Sequence, residues 1–162
     1  MNVGAYFSAF ALALTIPDIL SKIDYPDIQS VGDRYELWMN ENYVEGEKFE
    51  TQFDEDTSEQ LRIIQNQLDG ELYYQIRNAF LHAGNTDIRS KKKSVNLELT
   101  LTDCSSISIL SWSSDICSHV FVLSIPDFCC KMSAHAKYYY KKYKDNQAKK
   151  SFLDESKIVI EY

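Results

Sequence analysis

The chain has 162 residues, 44% apolar and 25% charged, with a net charge of −7. That length suits one domain with a real core, since about 150 residues bury roughly 70% of their unfolded surface. The negative balance excludes a broad face for gripping duplex DNA, which needs many Lys/Arg–phosphate contacts.

The charge is unevenly spread. Residues 1–88 hold five Lys/Arg against sixteen Asp/Glu, whereas residues 89–162 hold twelve against eight. The basic part is concentrated in RSKKK (89–93) and KYYYKKYKDNQAKK (137–150), which permits a local anionic ligand. Cys104, Cys117, Cys129 and Cys130 form no CxxC pair, and no histidine stands at a metal-ligand spacing from them. No metal site is expected, and the thiols read as reduced and buried.

In chain order, MNVGAYFSAFALALTIP carries no charged side chain before Asp18. It lacks the basic region of a signal peptide, and its apolar pattern runs on past Pro17 through Ile19, Leu20 and Ile23. Residues 3–23 therefore read as a helix buried on nearly all sides, in a cytoplasmic protein without a membrane span. A turn follows at DYPDIQSVGD. Tyr35, Trp38, Met39 and Tyr43 then predict a second helix over 31–44. Trp38 reads as core, and Arg34 as paired with Asp24 or Asp27.

The acidic stretch after residue 44 reads as a solvated loop. Thr57 and Gln60 have capping-box spacing and open a third helical segment. In it Leu61, Ile64, Leu68, Leu72, Ile76, Phe80 and Ala83 recur at helical steps. Asp69-Gly70 divides this segment, with Asp69 capping the second part, and Gly84 is a natural stop.

From residue 94 the pattern alternates. VNLELTLTD, SISILSWSSD and HVFVLSI predict three strands in a small antiparallel sheet or hairpin. Pro126 and Asp127 open a last long helix over 127–144; a short helix at 147–154 and a terminal KIVIEY strand complete the reading. The chain is expected to form a single domain, 1–162, mainly α with an α+β character, in which 94–125 is a β-rich insertion.

The segment YYQIRNAFLHAG (73–84) carries the chemistry. On an ideal helix Arg77 and His82 are about 140° apart and do not face each other, whereas Asn78 and His82 share a face. Together they offer an anion clamp, an amide and a group that titrates near neutral pH. Phosphodiester chemistry needs these parts: histidine exchanges protons with a ribose 2′-hydroxyl or a leaving 5′-oxygen, and arginine stabilises charge on the phosphate. Tyr73 and Tyr74 are candidates to stack on a base. The same cations also suit the negative end of a helix dipole with no catalytic role. His119 and His135 read as packed or surface residues. Lys137, Lys141 and Lys144 read as a solvated stripe or, alternatively, a phosphate-contacting surface. No P-loop, Rossmann glycine pattern or serine elbow is present, so no cofactor is expected.

The run IRNAFLH resembles the signature of the HEPN superfamily: an arginine, often a polar residue, and a histidine after a short gap. Arg77, Asn78 and His82 match it position by position. IPDI (16–19), GDRYELWMNENY (32–43) and the arrangement of Tyr74, Arg77, His82 and Gly84 resemble a group of small bacterial proteins of that type. The resemblance implies a four- to five-helix bundle and a homodimer in which two motif helices line one cleft. It also implies metal-independent RNA cleavage by Arg77, Asn78 and His82. Such proteins serve as toxins, anti-phage effectors or RNA-processing enzymes, and a cognate antitoxin or regulator is a possible partner. Arg89, Lys91, Lys92 and Lys93 would flank the cleft. The strand-rich region departs from the plain bundle. The alternative is a catalytically silent helical dimer that works as an interaction or regulatory module.

Overall fold

The computed structural model describes residues 3–45, 68–83, 96–102, 107–111 and 119–146. The architecture is mainly helical with a small sheet. The capping-box segment from Thr57, the stop at Gly84, the elements from residue 147 onward, and Cys104 and Cys117 lie outside the described residues.

Helix α1 (Val3–Asp24) runs without a break through Pro17. Proline cannot donate to the carbonyl four residues back; one residue further on, the Tyr35 hydroxyl donates to the Leu14 carbonyl at 3.3 Å. Phe10, Ala13, Leu14, Leu20 and Ile23 are buried. The expectation of burial on nearly all sides needs correcting, because Leu12 is 70% exposed and Gly4, Ala5, Ser8 and Ala9 are also exposed. Small residues gave this helix its all-round apolar look, and they leave one side uncovered. By length and composition alone, Gly4–Asp24 could cross a membrane.

Helix α2 (Val31–Met39) starts where Ser30 Oγ accepts from the Asp33 N–H at 3.3 Å. It continues into a π-helical turn, Asn40–Val44. The predicted stripe of Tyr35, Trp38, Met39 and Tyr43 is buried.

Helix α3 (Gly70–Asn78) is capped by Asp69, whose carboxylate accepts from the Leu72 N–H at 3.0 Å. Gly70 sits against α2 so closely that a Cβ would lie 2.1 Å from the Glu36 carbonyl oxygen. Its N–H donates to Asn40 Oδ1 at 2.7 Å. A glycine here lets two helix backbones meet. The helix passes into a second π-helical turn, Ala79–Ala83.

Strands β1 (Asn96–Thr100), β2 (Ile107–Ser111) and β3 (His119–Ser124) form one sheet in the order β1-β3-β2. The expected all-antiparallel arrangement is corrected. β2 and β3 pair antiparallel, but β1 and β3 run parallel, Leu97 opposite Phe121 and Leu99 opposite Leu123. Alternating polarity fixes which face of a strand is buried, not which way its neighbour runs. In β1, Leu97 is buried, Glu98 exposed and Leu99 half-buried.

Ser124 ends β3 and caps helix α4 (Ile125–Tyr143), accepting from the Asp127 N–H at 3.3 Å with Pro126 in the first turn. Helix α1 packs on α2 and α4, and α3 packs on α2. Phe10, Tyr35, Trp38, Tyr43, Tyr73, Phe128 and Tyr139 join Leu97 and Leu123 in one continuous core. Full burial of each such side chain stabilises by roughly 1.5–3 kcal/mol before its ordering entropy is counted. The expected burial of the thiols is corrected for the two described cysteines: Cys129 is half-buried and Cys130 exposed, both free.

Candidate functional site

Arg77 lies near the end of α3 and His82 in the π-helical turn that follows. Their side chains touch, Arg77 Nη1 standing 3.2 Å from His82 Nε2. Ideal α-helical spacing puts them on different sides; the wider π turn, with its i→i+5 bonding, brings residues five apart together. Guanidinium can only donate, so a hydrogen bond here requires an imidazole that accepts through Nε2, as the Nδ1–H tautomer does. His82 is exposed and Arg77 is half-buried.

The rest of the guanidinium is held by two side chains. Nε and Nη2 both donate to Asp18 Oδ2, at 3.2 and 3.1 Å, and Nη1 donates to Asn78 Oδ1 at 2.8 Å. Four of its five N–H donors are thus engaged, and among the described residues one on Nη2 has no partner. Asn78 therefore fixes the arginine. The Tyr74 ring lies 6.0 Å from the guanidinium carbon and 5.4 Å from the Tyr35 ring.

Asp18 was not singled out in the sequence as a site residue. Its only signal was that it is the first charge in a long apolar helix, inside the IPDI stretch. Both bonds from Arg77 fall on Oδ2, while Oδ1 is buried with no hydrogen-bond partner among the described residues. Burial pushes the Asp18 carboxyl above the ordinary carboxylate value, outweighing the lowering effect of Arg77 and the smaller one of Arg34. Arg34 itself donates to the Ile28 and Gln29 carbonyls at 2.5 and 3.4 Å, not to Asp24 or Asp27.

The two tyrosines part company. Tyr73 is 1% exposed, packed edge-on to Tyr43 and parallel to Phe128. That corrects its assignment as a base-stacking residue: at this helical position its ring points into the core. Tyr74, one residue on, is half-buried beside Arg77. Arg89, Lys91, Lys92 and Lys93 lie outside the described residues. Phe80, within the π turn, packs on Phe7 and Phe10 of α1 with ring centroids 6.1 and 4.9 Å away. Among the described residues, no three His, Cys, Asp or Glu side chains converge as metal ligands would.

No family model, curated protein or solved structure matches the chain in comparisons with each of the three.

Proposed function

We propose that this chain is a HEPN-like RNA-binding protein and metal-independent endoribonuclease, cytoplasmic and homodimeric, of the toxin, defence or RNA-processing kind. The observation that carries the reading is the contact between Arg77 and the solvent-reachable His82 at 3.2 Å. When a bound phosphate draws Arg77 off Nε2, the freed lone pair of a neutral imidazole is equipped to take the proton from a ribose 2′-hydroxyl. The 2′-oxygen then attacks phosphorus, the P–O5′ bond breaks, and the leaving oxygen receives the proton back from the imidazolium so formed. Arg77 holds the non-bridging oxygens as their charge grows. Asn78 keeps the guanidinium in place and Tyr74 offers a ring to a neighbouring base. Arg89 and Lys91–Lys93 enter only as positive charge close behind in the sequence.

Asp18 has a definite part in this reading. It competes with phosphate for the same guanidinium, so binding must draw Arg77 partly away from it. A second reading, the catalytically silent dimer that serves as an interaction or regulatory module, is favoured by one fact: Arg77 has four donors already engaged within the chain.

Incubation of the purified protein with total RNA in EDTA separates the two readings. Cleavage that disappears in His82→Ala and Arg77→Ala, with both variants folded, supports the nuclease. Cleavage unchanged by either substitution contradicts the assignment. No cleavage by the wild type, together with a dimer that dissociates in Arg77→Ala, supports the interaction module.

A further inference from the structure

A second histidine has the opposite surroundings. His135, on α4, is half-buried and meets the Trp38 ring edge-on at 5.3 Å. Neither of its ring nitrogens has a hydrogen-bond partner among the described residues. It lines a recess of about 330 Å³ with Asn42, Ala134, Tyr138 and Tyr139. The Asn42 amide nitrogen donates back to the Trp38 carbonyl at 3.0 Å, and among the described residues its Oδ1 has no hydrogen-bond partner. Tyr138 is 59% exposed. Tyr139 is rigidly held: its hydroxyl accepts from Trp38 Nε1 at 3.0 Å and donates to Asp24.

From this arrangement we infer that the recess is a binding site for a flat, uncharged nitrogen heterocycle of nucleobase size, as a nucleoside or nucleotide. The volume stands at the small end of ligand pockets, which run roughly 300–1,000 Å³, and suits one ring system rather than a larger molecule. Tyr138 provides an exposed face for stacking. Asn42 Oδ1 accepts from an exocyclic or ring N–H, and His135 both donates and accepts. Exposed bases are recognised through this combination of an aromatic plane and an amide or imidazole edge. Burial lowers the His135 pKa, so the ring is neutral and keeps both functions at neutral pH. Lys142, whose ammonium lies 5.0–5.8 Å from the centroids of the Tyr138, Tyr139 and Tyr143 rings, supplies a cation for an attached phosphate.

The site is separate from Arg77. Its tyrosine anchors on Asp24, while Arg77 anchors on Asp18, about 9 Å earlier along α1. The inference does not depend on whether Arg77 and His82 cleave RNA.

Ring ¹⁵N signals of His135 in the labelled full chain test it, titrated with adenosine, guanosine, cytidine and uridine. At least one nucleoside should give a saturable shift, and its monophosphate should bind more tightly at low salt. Tyr138→Ala should weaken binding about tenfold, the size of one lost base–aromatic stack. His135→Phe, which keeps the flat ring on Trp38, should weaken it severalfold, and Arg77→Ala should leave it unchanged. Titration with a six-residue oligonucleotide identifies the natural source: tighter binding than the monophosphate points to a strand, equal or weaker binding to a free nucleotide. No saturable shift with any of the four nucleosides overturns the inference. So does binding that survives Tyr138→Ala unchanged, or that is lost in Arg77→Ala.

Discussion

His82 and His135 are both presented by helices to solvent-reachable ground, and they could hardly be treated more differently. His82 has Nε2 taken up by Arg77, and that arginine is in turn gripped by Asp18 and Asn78. His135 meets the Trp38 ring edge-on, and among the described residues neither of its nitrogens has a hydrogen-bond partner. The first setting suits a group that moves protons next to a bound anion, because charge is organised before the ligand arrives. The second suits recognition of an uncharged ring, because its polar atoms still need partners. Helix α2 serves both, turning Tyr35 towards Tyr74 and Trp38 towards His135.

The contrast can be broken most sharply at the first histidine. Removing a positioned general acid–base group typically costs 10²–10⁴-fold in rate. His82→Ala should therefore lose at least about a hundredfold in RNA cleavage, while nucleoside binding at His135 is untouched. Arg77→Lys keeps the charge but lacks the planar fork that reaches Asp18, Asn78 and His82 together, and should fall nearly as far. Gel-based cleavage assays in EDTA measure both.

Gly70→Ala tests the frame under the Arg77 region. A Cβ 2.1 Å from a backbone carbonyl forces α3 away from α2. The expected loss is at least about 1–3 kcal/mol, the usual cost of overpacking, read from denaturant unfolding. Cleavage should suffer more than the His135 recess, because α3 carries only the first site.

Asp18→Asn should act in the other direction. With the competing carboxylate neutralised, affinity for a non-cleavable RNA should rise roughly threefold to tenfold, an effect of about 1 kcal/mol. Fluorescence anisotropy with a 2′-deoxy-substituted strand would register it. Unchanged affinity would mean that Asp18 only positions Arg77.

The smallest effect belongs to the second histidine. A His whose folded pKa is depressed stabilises the fold above its ordinary value of 6.5, and that contribution fades as pH falls through 6.5 towards the folded value. Wild-type stability should decline over that window, and His135→Gln should flatten the decline. Thermal melts in a pH series from neutral to mildly acidic conditions provide the measurement.

How much of this was legible in the residues follows from which forces are local. The stripe of α2, the Asp69 cap and the start of the last helix near Pro126 depend on near neighbours and could be read to within two residues. The choice of Arg77, Asn78 and His82 could be read too, but not the way they meet, because the π turn is a departure from ideal spacing that no composition signals. Asp18 was hidden for a different reason: its partner lies 59 positions away. Tyr73 and Tyr74 are identical in type and adjacent, and only the packing of α3 against Tyr43 and Phe128 decides which faces inward. Strand direction was equally out of reach, since β1 would alternate in the same way beside a parallel or an antiparallel neighbour. The recess at His135 joins α4 to the π turn after α2, over 90 residues apart in the chain, and no short motif marks it.

The most direct test of the central claim is the tautomer of His82, read from its ring ¹⁵N shifts at a pH where the imidazole is neutral. With Arg77 donating to Nε2, the proton should sit on Nδ1, and the shift of the bare, hydrogen-bonded Nε2 should move when Arg77 is replaced by alanine. A proton on Nε2, or a shift indifferent to Arg77, would contradict it.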